Sequence, residues 1–345
     1  MKLKVFIAVF GLVALLGACS GPRTVTLNSL RPAEITLPAS TKTILVLDRT
    51  KTEKKPINLI EGVVTGEMPG EDRTGSQELL VALNNQLSRT SRFNTIVAEE
   101  FLDGNGITSV FPPPLSRELI DRMATKYQAD AIVCLELMDS DFVITRGKVS
   151  GNVKSLEQGL KFYAQGIGNI TIGIRLYDCK SYAVVDQQLL TNSHTWETAG
   201  NSVPEAVAQL ASKGDATRYL SNEAGADYAY KIAPMPIQIR RSFRGKAKRS
   251  PELELGTRYA DVGQWERALE TWKSGLERAR RKEAGYLAHN IAIAYEVLGE
   301  YNKAIQWAEQ AYAQYGNDDS RSYVNQIKYR MSSEGLAQMQ LDTEE

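Results

Sequence analysis

The chain has 345 residues, and its 41 lysines and arginines balance its 41 aspartates and glutamates. A near-neutral chain carries no electrostatic footprint for nucleic acid, and its length suits about two domains. Three cysteines and two histidines argue against a zinc or other metal-hydrolase centre.

Lys2 and Lys4 precede an apolar run from Val5 to Leu16, closed by Leu16-Gly17-Ala18-Cys19. This is the layout of a secretory signal, and the run is too short to stay in a bilayer as a spanning helix. The Leu-Gly-Ala-Cys ending resembles the lipobox of bacterial lipoproteins. That resemblance implies a cut before Cys19, diacylglycerol on its sulfur and a fatty acyl chain such as palmitate on its new amine. The mature chain would hold 345 − 18 = 327 residues. Three acyl chains exceed the two signals that stable anchoring needs, so the membrane is met through the lipid on Cys19. Ser20 stands where enteric lipoproteins retained at the inner membrane have aspartate, which by that rule implies the periplasmic face of the outer membrane. Residues 19–41, with Pro22, Pro32 and Pro38, read as a lipidated tether with a short docked piece near Leu30-Arg31-Pro32.

Residues 42–243 read as an α/β domain. Thr43 to Asp48 is a buried-strand run, residues 50–74 a long loop, and Ser76 caps a helix carrying Leu79, Leu83 and Leu87. A strand at Arg92–Val97 follows. After Pro112-Pro113-Pro114, Ser116 caps a helix with Leu119, Ile120, Met123, Ala124 and Tyr127 on one stripe. Ala131–Leu137 is a buried strand. Gly159–Tyr177 alternates over an unusual length, with Phe142–Val153 as its hairpin partner and Gly166, Gly168 and Gly173 expected to bend or bulge it. Tyr182–Trp196 is the next strand. Ser202-Val203-Pro204-Glu205 is a capping box expected to open one helix to about Tyr230. Ile237–Phe243 closes the domain as a strand, and residues 244–250 continue a basic run from Arg240 as a solvated linker. Cys134 and Cys179 are expected as two free thiols.

The element order, with Val46-Leu47-Asp48, Ser91-Arg92-Phe93, Ala129-Asp130 and Arg175-Leu176-Tyr177-Asp178, resembles the amino-terminal domain of TolB and the periplasmic part of the curli secretion lipoprotein CsgG over residues 42–200. It implies an α/β sandwich with a mixed sheet and helices on one face. Leu30-Arg31-Pro32-Ala33-Glu34 upstream, with this domain and a repeat tail, looks like lipoproteins of the Bacteroidota.

Residues 251–335 carry an internal period. Gly256, Tyr259, Gly263, Trp265 and Ala268 recur 36 residues later as Ala292, Tyr295, Gly299, Tyr301 and Ala304. This resembles the tetratricopeptide repeat, an all-α unit of paired antiparallel helices, with a capping helix from about Ser320 to Met331. By matched repeat position, the resemblance implies a partner-binding groove of Leu253, Thr257, Tyr286, His289, Ile293 and Glu296. Residues 336–345 are expected to be a disordered tail.

No phosphate loop, nucleophile elbow, zinc-protease or Cys-x-x-Cys motif is present. Asp139 and Asp141 share a strand face and carry no acid–base pair. The expected function is therefore a non-enzymatic, lipid-anchored envelope adaptor or scaffold, without cofactor or metal, that binds an envelope protein or peptide through its repeats. The alternative is a homo-oligomeric, pore-forming or secretion-associated lipoprotein using the long hairpin. A wall or glycan enzyme built on His194-Thr195-Trp196 is the third reading.

Overall fold

The computed structural model describes residues 22–51, 71–103, 111–148 and 162–342. The signal, Cys19, most of the 50–74 loop and the turn of the long hairpin lie outside the described residues. The chain forms two compact units, one of Pro32–Met235 with Gln338–Glu345, the other of Met1–Arg31 with Pro236–Ala337.

The first unit is a mixed five-stranded sheet with helices. Its strands are β2 (Thr43–Lys51), β3 (Asn94–Asp103), β4 (Ala131–Lys148), β5 (Phe162–Asp178) and β6 (Val184–Gly200), in the order β3-β2-β4-β5-β6. β2 runs parallel to both neighbours, whereas β5 runs antiparallel to both β4 and β6. The apolar run of β2 is buried on both faces. Ile44 and Val46 join the core beneath α1 (Glu71–Leu87) and α4 (Lys213–Ile232), with Leu79, Leu83, Ala224 and Tyr228. Leu45 and Leu47 join Ile120 and Met123 of α2 (Arg117–Tyr127) in a second cluster. Cys134 and Cys179 belong to this second cluster and are buried free thiols.

Three local expectations change. α1 begins at Glu71, so Ser76 lies inside the helix, where its hydroxyl donates to the buried carboxylate of Asp48 at 3.1 Å. β5 is continuous, with no register shift at Gly166 or Gly168 against either neighbour; beside Gly173 the β4 partner does bulge, between Leu135 and Leu137. Gly166 and Gly168 instead admit rings: a Cβ there would stand 2.5 Å from Phe142 and 2.9 Å from Trp196. The capping-box helix stops after α3 (Val203–Ala208), because Ser212 starts α4 anew by accepting from the Asp215 N–H. By contrast, Ser116 caps α2 as expected, accepting from Leu119 N–H.

The second unit holds a two-stranded sheet, β1 (Arg23–Arg31) with β7 (Met235–Phe243), the helices α5 (Pro251–Asp261), α6 (Trp265–Leu276), α7 (Arg281–Val297) and α8 (Tyr301–Ala313), and α9 (Asp318–Leu341) as far as Ala337, its last residues belonging to the first unit. Residues 23–31, expected within the tether, are thus a paired strand. Residues 336–341, expected in a disordered tail, continue α9, where Gln340 is buried and both donates to Ala33 O and accepts from Ala33 N–H. Gly263 and Gly299 end the first helix of each pair with φ of +77° and +79°. Only glycine takes that left-handed conformation without strain.

Candidate functional site

The candidate site is the face of the helical unit that carries the six repeat-matched residues. Its walls form because small residues let the helices close up. Gly256 is one: a Cβ there would stand 2.3 Å from Trp272 Nε1, whose N–H donates to Leu253 O at 3.1 Å.

Leu253, Thr257, His289, Ile293 and Glu296 are buried, and Tyr286 is half-buried. The chain itself covers them, so the expected open groove is corrected: residues 241–244 lie on this face. Asn290 holds the main chain of Arg244 from both sides, accepting from its N–H at 3.0 Å and donating to its carbonyl at 2.8 Å. Phe243 packs edge-on against Trp265 and Trp272. The Arg244 guanidinium lies 5.0 Å from the Tyr286 ring centre. His289 reaches Ser242 O through Nε2 at 3.2 Å and Ser320 Oγ through Nδ1 at 2.8 Å. Burial holds its imidazole below the ordinary histidine range.

Glu296 is the electrostatic centre. Arg241 donates to both its oxygens, at 2.9 and 3.0 Å, Arg330 of α9 donates at 3.1 Å, and the Tyr323 hydroxyl donates to it as well. Arg330 also bonds Glu334 at 2.9 Å and Asn28 O at 2.8 Å, while Glu334 accepts from Ser29 Oγ at 2.7 Å. Burial raises the Tyr323 phenol well above its usual range, with the Glu296 charge adding to it. Two guanidiniums and two carboxylates therefore close a neutral cluster that fastens β1, β7 and α9 to α7. Bidentate charge-assisted bonds of this kind fix geometry as well as energy.

The sequence reading missed Arg241, Asn290 and Arg330. Arg241 reads in the sequence as part of the basic run, yet it shares strand parity with Ile237, Ile239 and Phe243. That parity was the available signal.

A second buried charge lies in the α/β unit. Glu136 on β4 pairs with Arg175 and accepts from the Tyr177 hydroxyl at 2.6 Å. Arg175 and Arg49 also donate to the carbonyls of Pro112 and Pro113, at 2.8 and 2.7 Å, which pins the triple-proline loop. Burial raises the Glu136 carboxyl against the opposing pull of Tyr177 and Arg175. His194 and Trp196 pack with Tyr219, ring centres 4.6 to 5.8 Å apart, above Gly168. Among the described residues, no group of three or more His, Cys, Asp or Glu side chains could hold a metal ion.

Comparisons with known proteins add the following. A dodecameric PelC variant from Paraburkholderia phytofirmans is similar at 10% identity, covering 61% of this chain and 99% of that one, with a TM-score of 0.22. A neuraminyllactose-binding hemagglutinin homolog from Helicobacter pylori matches at 13% identity, covering 56% and 82%, with a TM-score of 0.24. A minor lipoprotein from Acinetobacter baumannii matches at 9%, covering 56% and 87%, with a TM-score of 0.23. No curated protein matches. Residues 254–332 match the model described as Domain of unknown function (DUF6340). Residues 41–243 match the model described as Domain of unknown function (DUF8603), and the chain belongs to that family.

Proposed function

We propose that the protein is a non-catalytic, lipid-anchored scaffold of the bacterial cell envelope, held in the outer membrane through acyl chains on Cys19. Its helical unit is read as a tetratricopeptide-type pair of repeats, and its α/β unit as a relative of the TolB and CsgG domains. One observation carries the reading: only Ser20, Gly21 and Pro22 separate Cys19 from the start of β1 at Arg23. Four residues span at most about 14 Å, so an anchor on Cys19 runs almost directly into a strand fastened to the repeats. The helical unit then serves as a base at the membrane surface. With its concave face filled by residues 241–244, an envelope protein partner meets other surfaces of the chain.

The test is labelling with a palmitate analogue, together with membrane fractionation of the natural chain and a Cys19→Ser variant. Labelled chain in the outer-membrane fraction, with the variant unlabelled and released, supports the reading. A natural chain that takes no label, or a variant that stays membrane-bound, overturns it.

A further inference from the structure

The two edges of the sheet differ. β3 carries Glu99 and Glu100, and its pairing with β2 is interrupted by a register shift between Val97 and Phe101. Charges and irregularities of this kind are what keep an edge strand from pairing with another chain. β6 has none of these defences along most of its length. It is 17 residues long, contains no lysine, arginine or proline, and pairs with β5 without a shift from Asp186 to Gly200. Among the described residues, no strand pairs with its outer edge.

We infer that the outer edge of β6 pairs antiparallel with β6 of a second copy, about a two-fold axis at Asn192. The register follows from side-chain parity and charge. Opposed residues point to the same face only if their numbers sum to an even value, and a sum of 384 places Asp186 opposite Thr198 and Gln187 opposite Glu197. Both acidic residues of the strand then meet neutral polar side chains. Gln187 is already oriented for this: its amide oxygen accepts from Arg175 Nε at 2.7 Å, which leaves its N–H groups for an acceptor. Glu197 is an exposed acceptor on the same face, bonded at 3.1 Å to Gln165. Thr191 meets Ser193, and Leu189 meets Thr195. The opposite face is already covered near Asp186, where Tyr228 of α4 donates to it at 3.0 Å, so the pairing extends one layered sheet into another.

Thirteen paired residues give a contact strip about 44 Å long and ~10 Å thick. That amounts to roughly 900 Å² over both copies, below the standard size of a stable interface. Sharing one membrane raises the effective concentration and so the fraction paired, and in that respect the pairing rests on the proposed anchor; a disulfide traps even a transient pair.

The experiment uses the full chain in native membranes with single cysteines. In the register given, Asn192→Cys faces its own copy at about 4.5–5.5 Å between Cα atoms, within disulfide reach. Thr195→Cys would stand about 20 Å from its copy. Mild oxidant should dimerise Asn192→Cys and leave Thr195→Cys monomeric, while Leu189→Cys mixed with Thr195→Cys should cross-link. Ser193→Lys should lower the native mass to that of a monomer without changing the circular dichroism spectrum. Equal cross-linking at positions 192 and 195, or none at 192, would overturn the pairing. Chain found outside the membrane fraction refutes the anchor alone, and the cross-link pattern still reads the pairing.

Discussion

Replacing Glu296 by glutamine is the sharpest test of what holds the helical unit together. The carboxylate is buried, and its partners Arg241 and Arg330 have side chains only 10% and 9% exposed. Glutamine keeps the shape but leaves two guanidiniums without their shared anion. Breaking a buried pair in this way costs about 3–5 kcal/mol, because the stranded charge is not rehydrated. For a cooperative unit of about 100 residues, at roughly 4 °C per kcal/mol, the melting temperature should fall by about 12–20 °C. Arg241→Met should cost less than Glu296→Gln, since Arg330 still neutralises the carboxylate. A full apolar replacement of Arg241, Glu296 and Arg330 should recover most of the loss, because it removes the desolvation cost along with the attraction. The assay is thermal and urea unfolding of the purified chain, followed by circular dichroism and tryptophan fluorescence. A Glu296→Gln chain within 1 kcal/mol of the natural one would refute the assignment of Glu296 as the centre of the cluster.

Gly256→Ala should destabilise by about 1–3 kcal/mol, because the new methyl group must displace the Trp272 ring; an unshifted melting curve and Trp emission would contradict the packing. His289 is held neutral by burial, whereas the unfolded chain protonates it near its ordinary value of about 6.5. The unfolded state thus binds the extra proton, so stability is present above that pH and lost as pH falls, by up to about 1.4 kcal/mol per unit. His289→Gln should flatten that part of the profile between pH 7 and 5, and an unchanged profile would show that His289 does not contribute. Cys134 and Cys179 should resist thiol reagents until the chain is unfolded, because burial raises both, Cys179 to about 12. Rapid labelling of the native chain would count against their burial.

The legible parts of the fold were those with a local cause. The apolar run of β2, the Ser116 cap and the two helix-ending glycines each follow from chemistry within a few residues. The errors came from long-range partners. Ser76 looked like a cap, but its hydroxyl answers Asp48, 28 residues away. Arg241 looked like linker charge until Glu296, 55 residues on, made it a buried ion. A sequence period does not reveal which other segment of the chain will lie against the repeat-matched residues, and so leaves their burial by residues 241–244 out of sight. Glu136 went unremarked in its apolar strand, because its partner Arg175 becomes apparent only through the β4–β5 register.

The strand at residues 23–31 also sets the order in which the chain can finish folding. Ser29 bonds Glu334 across 305 positions, and Asn28 bonds Arg330 across 302. The first strand of the described residues must therefore wait for their last helix, α9, before Arg330 and Glu334 can fasten it. Closing so long a loop is slow, although each doubling of length adds only ~0.6 kcal/mol to its entropic cost. The five strands of the α/β unit all precede Met235 and can pair during that wait, before Gln340 adds its bonds to Ala33. A chain cut before α9 would keep its sheet and leave β1 without Arg330 and Glu334, two of the groups that fasten it.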